Sequence, residues 1–317
     1  MSFADPGLTV AQVVDLSHRY ARMGVARFCP TLITGPLDAT ARNLSILNEA
    51  RSQDALTRHM IAGAHLEGPW ISPVDGYRGA HPREHTREPR WDDFQRLQDT
   101  AHGIVSVVTL APELPGALLL ISKLADSGVL VAIGHTAADP ETIRAAVNAG
   151  ARLSTHLGNG IATPQPRHPN PIWTQAAEDR LSASLIADLA HLDADTLRVL
   201  TRAKGVRRTI LVSDLGPLAG CAPGRYGAWD VCSDGRIVVA GTDYLAGAAR
   251  PLFDGLATLV DRLGWSLDDA WKTASTNPAA LLGRPTELCD PPDVVWIETN
   301  PLRLVKSRIA GNEFVAA

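Results

Sequence analysis

Four side chains able to do acid–base or metal chemistry stand at or just beyond short apolar runs of this 317-residue chain: Glu67 in AHLEGPW, His135 in VLVAIGHT, His156 in ARLSTH and Asp214 in TILVSD. Taken singly, each has an ordinary explanation. Glu67 fits a solvated loop glutamate, either histidine a hydrogen-bonded core or rim residue, and Asp214 a turn aspartate ahead of a Gly-Pro pair. Taken together they describe a catalytic site. Two imidazoles and one carboxylate, with a position left open for water, are the donor set of catalytic zinc, and other divalent ions accept the same donors. An ion held there polarises a carbonyl and lowers the pKa of bound water. Asp214 is then the candidate to take the water's proton and return it to a leaving group.

These residues need a scaffold that delivers strand ends to one place. Strand-like runs fall at VARFC from Val25, MIAGAHL, GIVSVVTL, VLVAIG, ARLST, LSASLIA and TILVS. Helical patterns separate them, at Asp38 to Arg51, Trp91 to Ala101, Pro115 to Ser127, Pro140 to Ala149, Trp173 to Asp179 and Asp193 to Ala203, with a further helix, Leu8 to Met23, ahead of the first strand. Alternation of this kind predicts a parallel sheet wrapped by crossover helices, with its chemistry at the carboxyl ends of the strands. Seven strands are one short of a closed eight-stranded barrel. Because the chain opens on a helix, the strand expected to be missing is the first. Beyond the seventh strand, Arg225 to Ala240 reads as a polar hairpin turning at Asp234-Gly235, followed by helices at Leu252 to Arg262 and Leu267 to Ala274. The tail is strand-like twice, as DVVWIE and VKSRIAG.

Composition narrows the partners. Apolar residues make up 45%, charged residues 20%, and the net charge is -4. Neither nucleic acid nor a membrane surface is an expected partner. Cys29, Cys221, Cys232 and Cys289 are scattered and form no CxxC pair, which points to a reducing cytoplasm rather than a disulfide framework. The longest apolar stretch, Leu118 to Ile133, is broken by Lys123, Asp126 and Gly128, and the opening MSFADPGL lacks a signal-peptide pattern.

Ordered motifs over nearly the whole chain resemble the N-acetylglucosamine-6-phosphate deacetylase family of the amidohydrolase superfamily. They are PTLIT at Pro30, HLEGPWISPVDGYRGAH at His65, VTLAPE at Val108, GHT at Gly134, THLGNG at Thr155, IADLAH at Ile186, LVSD at Leu211 and NPAALLG at Asn277. The resemblance implies a TIM-like (β/α) barrel over residues 1–283, incomplete at its N-terminal side, with residues 284–317 as strands of a small β-sandwich domain. It implies one divalent ion, zinc first, on Glu67, His135 and His156, with Asp214 as general acid/base in hydrolysing the acetamide of an N-acetyl amino sugar. His81 would contact the sugar and His191 would stand near the reacting carbonyl. Asn159 and Gly160 would offer backbone amides to a substrate phosphate, Arg167 would bind that phosphate, and the enzyme would be a homodimer.

Three departures from the family pattern set the alternatives. The small-domain strands and first barrel strand that open family members are missing from the pattern here. The segment THLGNGIATPQPRHPNPIW stands where a THLxNAM and a glycine-rich REPG segment are usual, and Leu189 stands where glycine is usual. An amidohydrolase for a different or unphosphorylated N-acyl compound is therefore a second expectation. A truncated, inactive paralogue binding a sugar or a partner chain, or a gene start placed too far downstream, is a third.

Overall fold

The computed structural model describes residues 2–284 and 292–316. In chain order the barrel elements are α1 (Val10–Arg22), β1 (Thr31–Ile33), α2 (Leu37–Gln53), α3 (Ala55–Met60), β2 (Ala64–Glu67), α4 (Trp91–Thr100), β3 (Val105–Leu110), α5 (Ala117–Asp126), β4 (Leu130–Ile133), α6 (Pro140–Ala149), β5 (Leu153–Ser154), α7 (Pro171–Ala177), β6 (Ser182–Ile186), α8 (Ala194–Arg208) and β7 (Thr209–Val212). The strands form one sheet in the order β1 to β7, every neighbouring pair parallel. This is a (β/α) barrel open on one side. Among the described residues β1 and β7 each pair on one edge only.

Local sequence explains where the elements start and stop. Helix α1 opens on a capping box in which the Thr9 hydroxyl accepts from Gln12 N and the Gln12 side chain accepts from Thr9 N. Helix α6 has Asp139 as its N-cap, Pro140 in its first turn and Gly150 at its end with φ 127°. Two expectations needed correction here. The first strand is Thr31–Ile33 rather than VARFC, of which only Phe28 reaches the sheet, through a bridge to Ile61. Pro30 has no N–H to give to a ladder, so regular pairing begins after it. Helix α3 was also unexpected. Asp54 caps it by accepting from Thr57 N at 2.7 Å, which splits what reads as one long helix and loop.

The core comes in two main parts. Helices α1, α2, α4, α5 and α6 pack apolar residues such as Leu44, Leu97, Ile121 and Ile143 against strands β1 to β4. A second cluster, including Leu185, Leu197, Leu200 and Leu211, belongs to β6, β7 and the helices on that side. Between them lies β5, only two residues long, paired to β4 through Ala132↔Leu153 and Ile133↔Ser154.

After β7 the expected hairpin is a three-stranded sheet of β8 (Gly224–Tyr226), β9 (Trp229–Val231) and β10 (Ile237–Val239). Gly235, φ 87°, sits in the β9–β10 turn as expected, and Gly227, φ 63°, makes the additional turn. Helices α9 (Leu252–Asp261), α10 (Leu267–Ala274) and α11 (Thr276–Leu281) follow. The tail forms β11 (Val294–Thr299), β12 (Leu302–Ile309) and β13 (Asn312–Val315). The strands β11 and β12 pair with each other, and β13 joins through a two-residue turn at Ala310-Gly311, both with positive φ. Ser307 Oγ donates to Ala21 O of α1, and Asp293 pairs with Arg27 at 2.9 Å and accepts from His59 at 2.8 Å, so the small sheet is anchored to the barrel. Cys289 and the proposed boundary at residue 284 adjoin or fall within 285–291, outside the described residues. No described helix is long and apolar enough to cross a membrane.

Candidate metal centre and active site

Strand register brings the four chemical residues to one rim. Glu67 is the last residue of β2, level with Ile33 of β1 and Thr109 of β3. His135, His156 and Asp214 each lie two residues past the end of β4, β5 and β7 respectively. All three adopt left-handed backbone conformations, with φ of 51°, 28° and 49°. L-residues with side chains rarely sit there, and such strain gathers at functional sites where the surroundings over-determine it. Here the surroundings are visible. Thr155 N donates to Ile133 O and His156 N to Ser184 Oγ, while Asp214 O accepts from Ala248 N at 2.7 Å.

Glu67, His135 and His156 are all buried, and their ligand atoms lie within 4.8 Å of one another. Nε2 of His135 and Nε2 of His156 stand 3.0 and 2.9 Å from Glu67 Oε1 and 3.1 Å from each other. His135 Nδ1 is 3.0 Å from Tyr77 O, a pure acceptor, so Nδ1 carries a proton and Nε2 is the ring atom that faces the other two residues. Two imidazoles and a carboxylate converging on one point are a donor set that a divalent ion takes, so the residues fit such an ion. The His135 ring is closely confined. A Cβ at Gly160 would lie 2.7 Å from its Nδ1, and Gly79 approaches from another direction.

Electrostatics follow from burial and from these contacts. Burial opposes ionisation of Glu67, but hydrogen bonds from His135 and His156 outweigh it and hold the carboxyl well below the usual range. Burial disfavours a charged His156, yet its bond to Glu67 and the charges of Glu67 and Asp214 push it up to about 9. Asp214 moves the other way. Burial and the negative charge of Glu67 raise it to about 6, where a carboxyl can both take and give a proton near neutral pH.

The remaining expected residues divide. His81 is buried and lines the cavity. Its Nδ1 accepts from Thr34 N at 3.3 Å, and burial, with the neighbouring His135, lowers it to about 3, so it is a neutral ring with its proton on Nε2. His191 also lines the cavity, with Nδ1 2.8 Å from Asp188. Asn159 and Gly160 border the cavity as well. The Asn159 amide donates to His156 O at 2.9 Å, whereas no hydrogen bond of the Gly160 amide to another described residue is seen. Arg167 lies on an exposed loop and does not line the cavity.

Several residues with no sequence assignment help to build the site. His65, two positions before Glu67 on the same face of β2, joins Thr31 Oγ1 at 3.1 Å and Thr109 Oγ1 at 2.7 Å, and Thr109 continues to Thr155 at 2.7 Å. This belt of hydrogen bonds runs from β1 through β2 and β3 to the residue just past β5. Glu113 accepts from Ala137 N at 2.7 Å and from Thr136 Oγ1, fixing the loop that carries His135. The period of two along β2 is the signal that could have placed His65 beside Glu67. The cavity itself, about 1720 Å³, extends from the rim past Val107, Leu130 and Leu153 and reaches both unpaired edges, at Ile33 and Val212.

Residues 2–288 match the model of the Amidohydrolase family. The N-acetylglucosamine-6-phosphate deacetylase of Bos taurus is 37% identical over 292 residues, covering 88% of this chain and 69% of the relative. The N-acetylgalactosamine-6-phosphate deacetylase of Escherichia coli O157:H7 is 32% identical over 270 residues, covering 84% and 71%. Among solved structures, N-acetyl-D-glucosamine-6-phosphate deacetylase from Mycobacterium smegmatis superposes with a TM-score of 0.85 at 30% identity, covering 98% of this chain and 84% of that one. A mutant of the same enzyme in complex with N-acetyl-D-glucosamine-6-phosphate superposes equally well.

Proposed function

The chain belongs to the amidohydrolase family, and from that premise we propose that it hydrolyses the acetamide of an N-acetylated amino sugar, foremost N-acetylglucosamine 6-phosphate, to the free amine and acetate. The observation that carries this reading is the convergence of Glu67, His135 and His156 on one point, beside an Asp214 held near neutral pH. The relatives' shared activity supplies the substrate class.

Glu67, His135 and His156 hold one divalent ion, zinc first, which when bound supplies a polarised carbonyl and an acidified water. Asp214 takes the proton from the attacking water and hands it to the departing amine, a role that its raised pKa suits. His81, neutral with Nε2–H exposed to the cavity, donates to the sugar, and His191 faces the reacting acyl group. Gly160 offers a backbone amide to the phosphate, with Asn159 beside it and Arg167 as the cation. Because Arg167 does not line the cavity, we assign its contact to the closed, homodimeric enzyme or to a moved loop. We take residues 1–283 as the catalytic unit and 284–317 as strands of a small β unit. The cytoplasm is the proposed compartment, with Cys29, Cys221 and Cys232 all free.

The test is acetate release from a panel of N-acetyl sugars and their 6-phosphates by zinc-loaded protein. Release from the 6-phosphates is expected, and no release from any member sinks the proposal. One observation favours a second reading, an unphosphorylated N-acyl substrate: the exposed position of Arg167 away from the cavity. Inorganic phosphate as a competitor separates the two, since it inhibits only if the phosphate subsite exists.

A further inference from the structure

The loop after β6 contains a carboxylate that the proposed chemistry does not use. Asp188 has little exposed surface, 8% of its side chain, and three hydrogen bonds converge on it. Oδ1 accepts from Ala190 N and from His191 N, both at 2.9 Å, and Oδ2 faces His191 Nδ1 at 2.8 Å. Leu189 between them adopts φ 63°, the left-handed turn that lets both amides reach one oxygen. The imidazole at the end of this turn is itself 5% exposed and lines the cavity beside Asp214.

We propose that Asp188 is the positioning residue for His191: it commits the ring's Nδ1–H to itself and leaves Nε2 as the only ring atom able to meet the substrate. The chemistry of the pair requires this. A carboxylate accepts and cannot donate, so at 2.8 Å the proton between Asp188 and His191 belongs to Nδ1. The backbone bonds to Oδ1 hold the carboxylate in place while Oδ2 aims the ring. Burial alone would favour the neutral acid, but the bonds from His191 and Ala190 lower Asp188 below the usual carboxyl range, consistent with a carboxylate. A carboxylate placed behind an imidazole also stabilises positive charge on that ring as charge develops on the group it meets.

The role of His191 rests on the deacetylase reading, whereas its tautomer does not, and the experiment uses that separation. In ¹⁵N-histidine-labelled zinc-loaded protein, the neutral His191 ring is expected to carry its proton on Nδ1. Asp188→Asn keeps an oxygen for the two backbone amides but turns an N–H donor toward Nδ1, so the ring proton should move to Nε2. With substrate, the same variant should lose about 100-fold in kcat, with KM within about threefold and metal content unchanged. Added to His191→Ala, it should cost no more than about twofold, because Asp188 acts through His191. A wild-type proton on Nε2 overturns the proposal whether or not the variant folds. So does an Asp188→Asn enzyme with near-normal kcat, or one whose loss adds fully to that of His191→Ala. A protein releasing no acetate from any substrate would sink the functional reading and leave the tautomer measurement to decide this one.

Discussion

The metal triad and the loop of residues 159–170 border the same cavity, yet they are built in opposite ways. Every ligand of the triad is buried, and each is tied to another part of the barrel: Glu67 to both histidines, His135 to Tyr77 and the glycines around it, His156 to Ser184. The loop exposes Arg167 and His168 and is secured mainly by Asn170, which caps α7. The difference teaches that the candidate metal site is fixed within this chain, while the segment proposed to meet a phosphate is an exposed loop offering the Gly160 amide and Arg167.

The sharpest way to break that comparison is Glu67→Ala. Removing a partner behind a metal ligand typically costs 10- to 100-fold in affinity, so loss of the ligand itself should cost more than about 100-fold, with activity lost alongside. Metal analysis after dialysis checks it, and full occupancy would remove Glu67 from the ligand set. Asp214→Asn comes next. It should lower kcat by about 10²- to 10⁴-fold while the ion stays bound, because the task proposed for it is proton transfer. In the wild type the base form of Asp214 is present only above its raised pKa. Activity should therefore climb with pH through about 6, and the charge of a bound ion should shift that limb toward lower pH. A smaller effect is expected from Arg167→Ala. KM for a 6-phosphate should rise about 5- to 10-fold, with no change for unphosphorylated sugars, and equal changes for both would detach Arg167 from the phosphate. Smallest is Leu189→Gly. Relief of the left-handed strain, about 1 kcal/mol or more, is partly offset by the greater freedom of glycine in the unfolded chain, so stability should stay level or rise by up to about 1 kcal/mol in chemical denaturation.

Much of this was legible in the sequence because strands buried on both faces leave polar residues conspicuous at their ends. Glu67, His135, His156 and Asp214 could be singled out that way, and helix α6 by its Asp-Pro start and Gly stop. The count of seven strands and the open side of the barrel were likewise readable. What was not legible depends on contacts distant in sequence. Nothing local marks His65 as one link in a chain to Thr31, Thr109 and Thr155, since those partners come from two other strands and the residue just past a third. Nothing local marks Asp188 either, because only the turn at Leu189 brings it against His191. The first strand was misplaced because apolar content favoured VARFC, whereas Pro30, with no N–H to give, interrupts the ladder between the Phe28 bridge and Thr31.

The two-residue strand β5 has a mechanical consequence. It is the spine of a half-open book, with the larger core on one cover, the smaller on the other, and no pairing between β1 and β7 among the described residues to latch the far edge. Glu67 and His135 ride on one cover, while His156 is hinged at the spine itself. An ion gripped by all three is then a clasp as well as a reagent. It would resist the covers' spreading, so that the readiness of the site for chemistry and the rigidity of the scaffold would rise and fall together with metal supply.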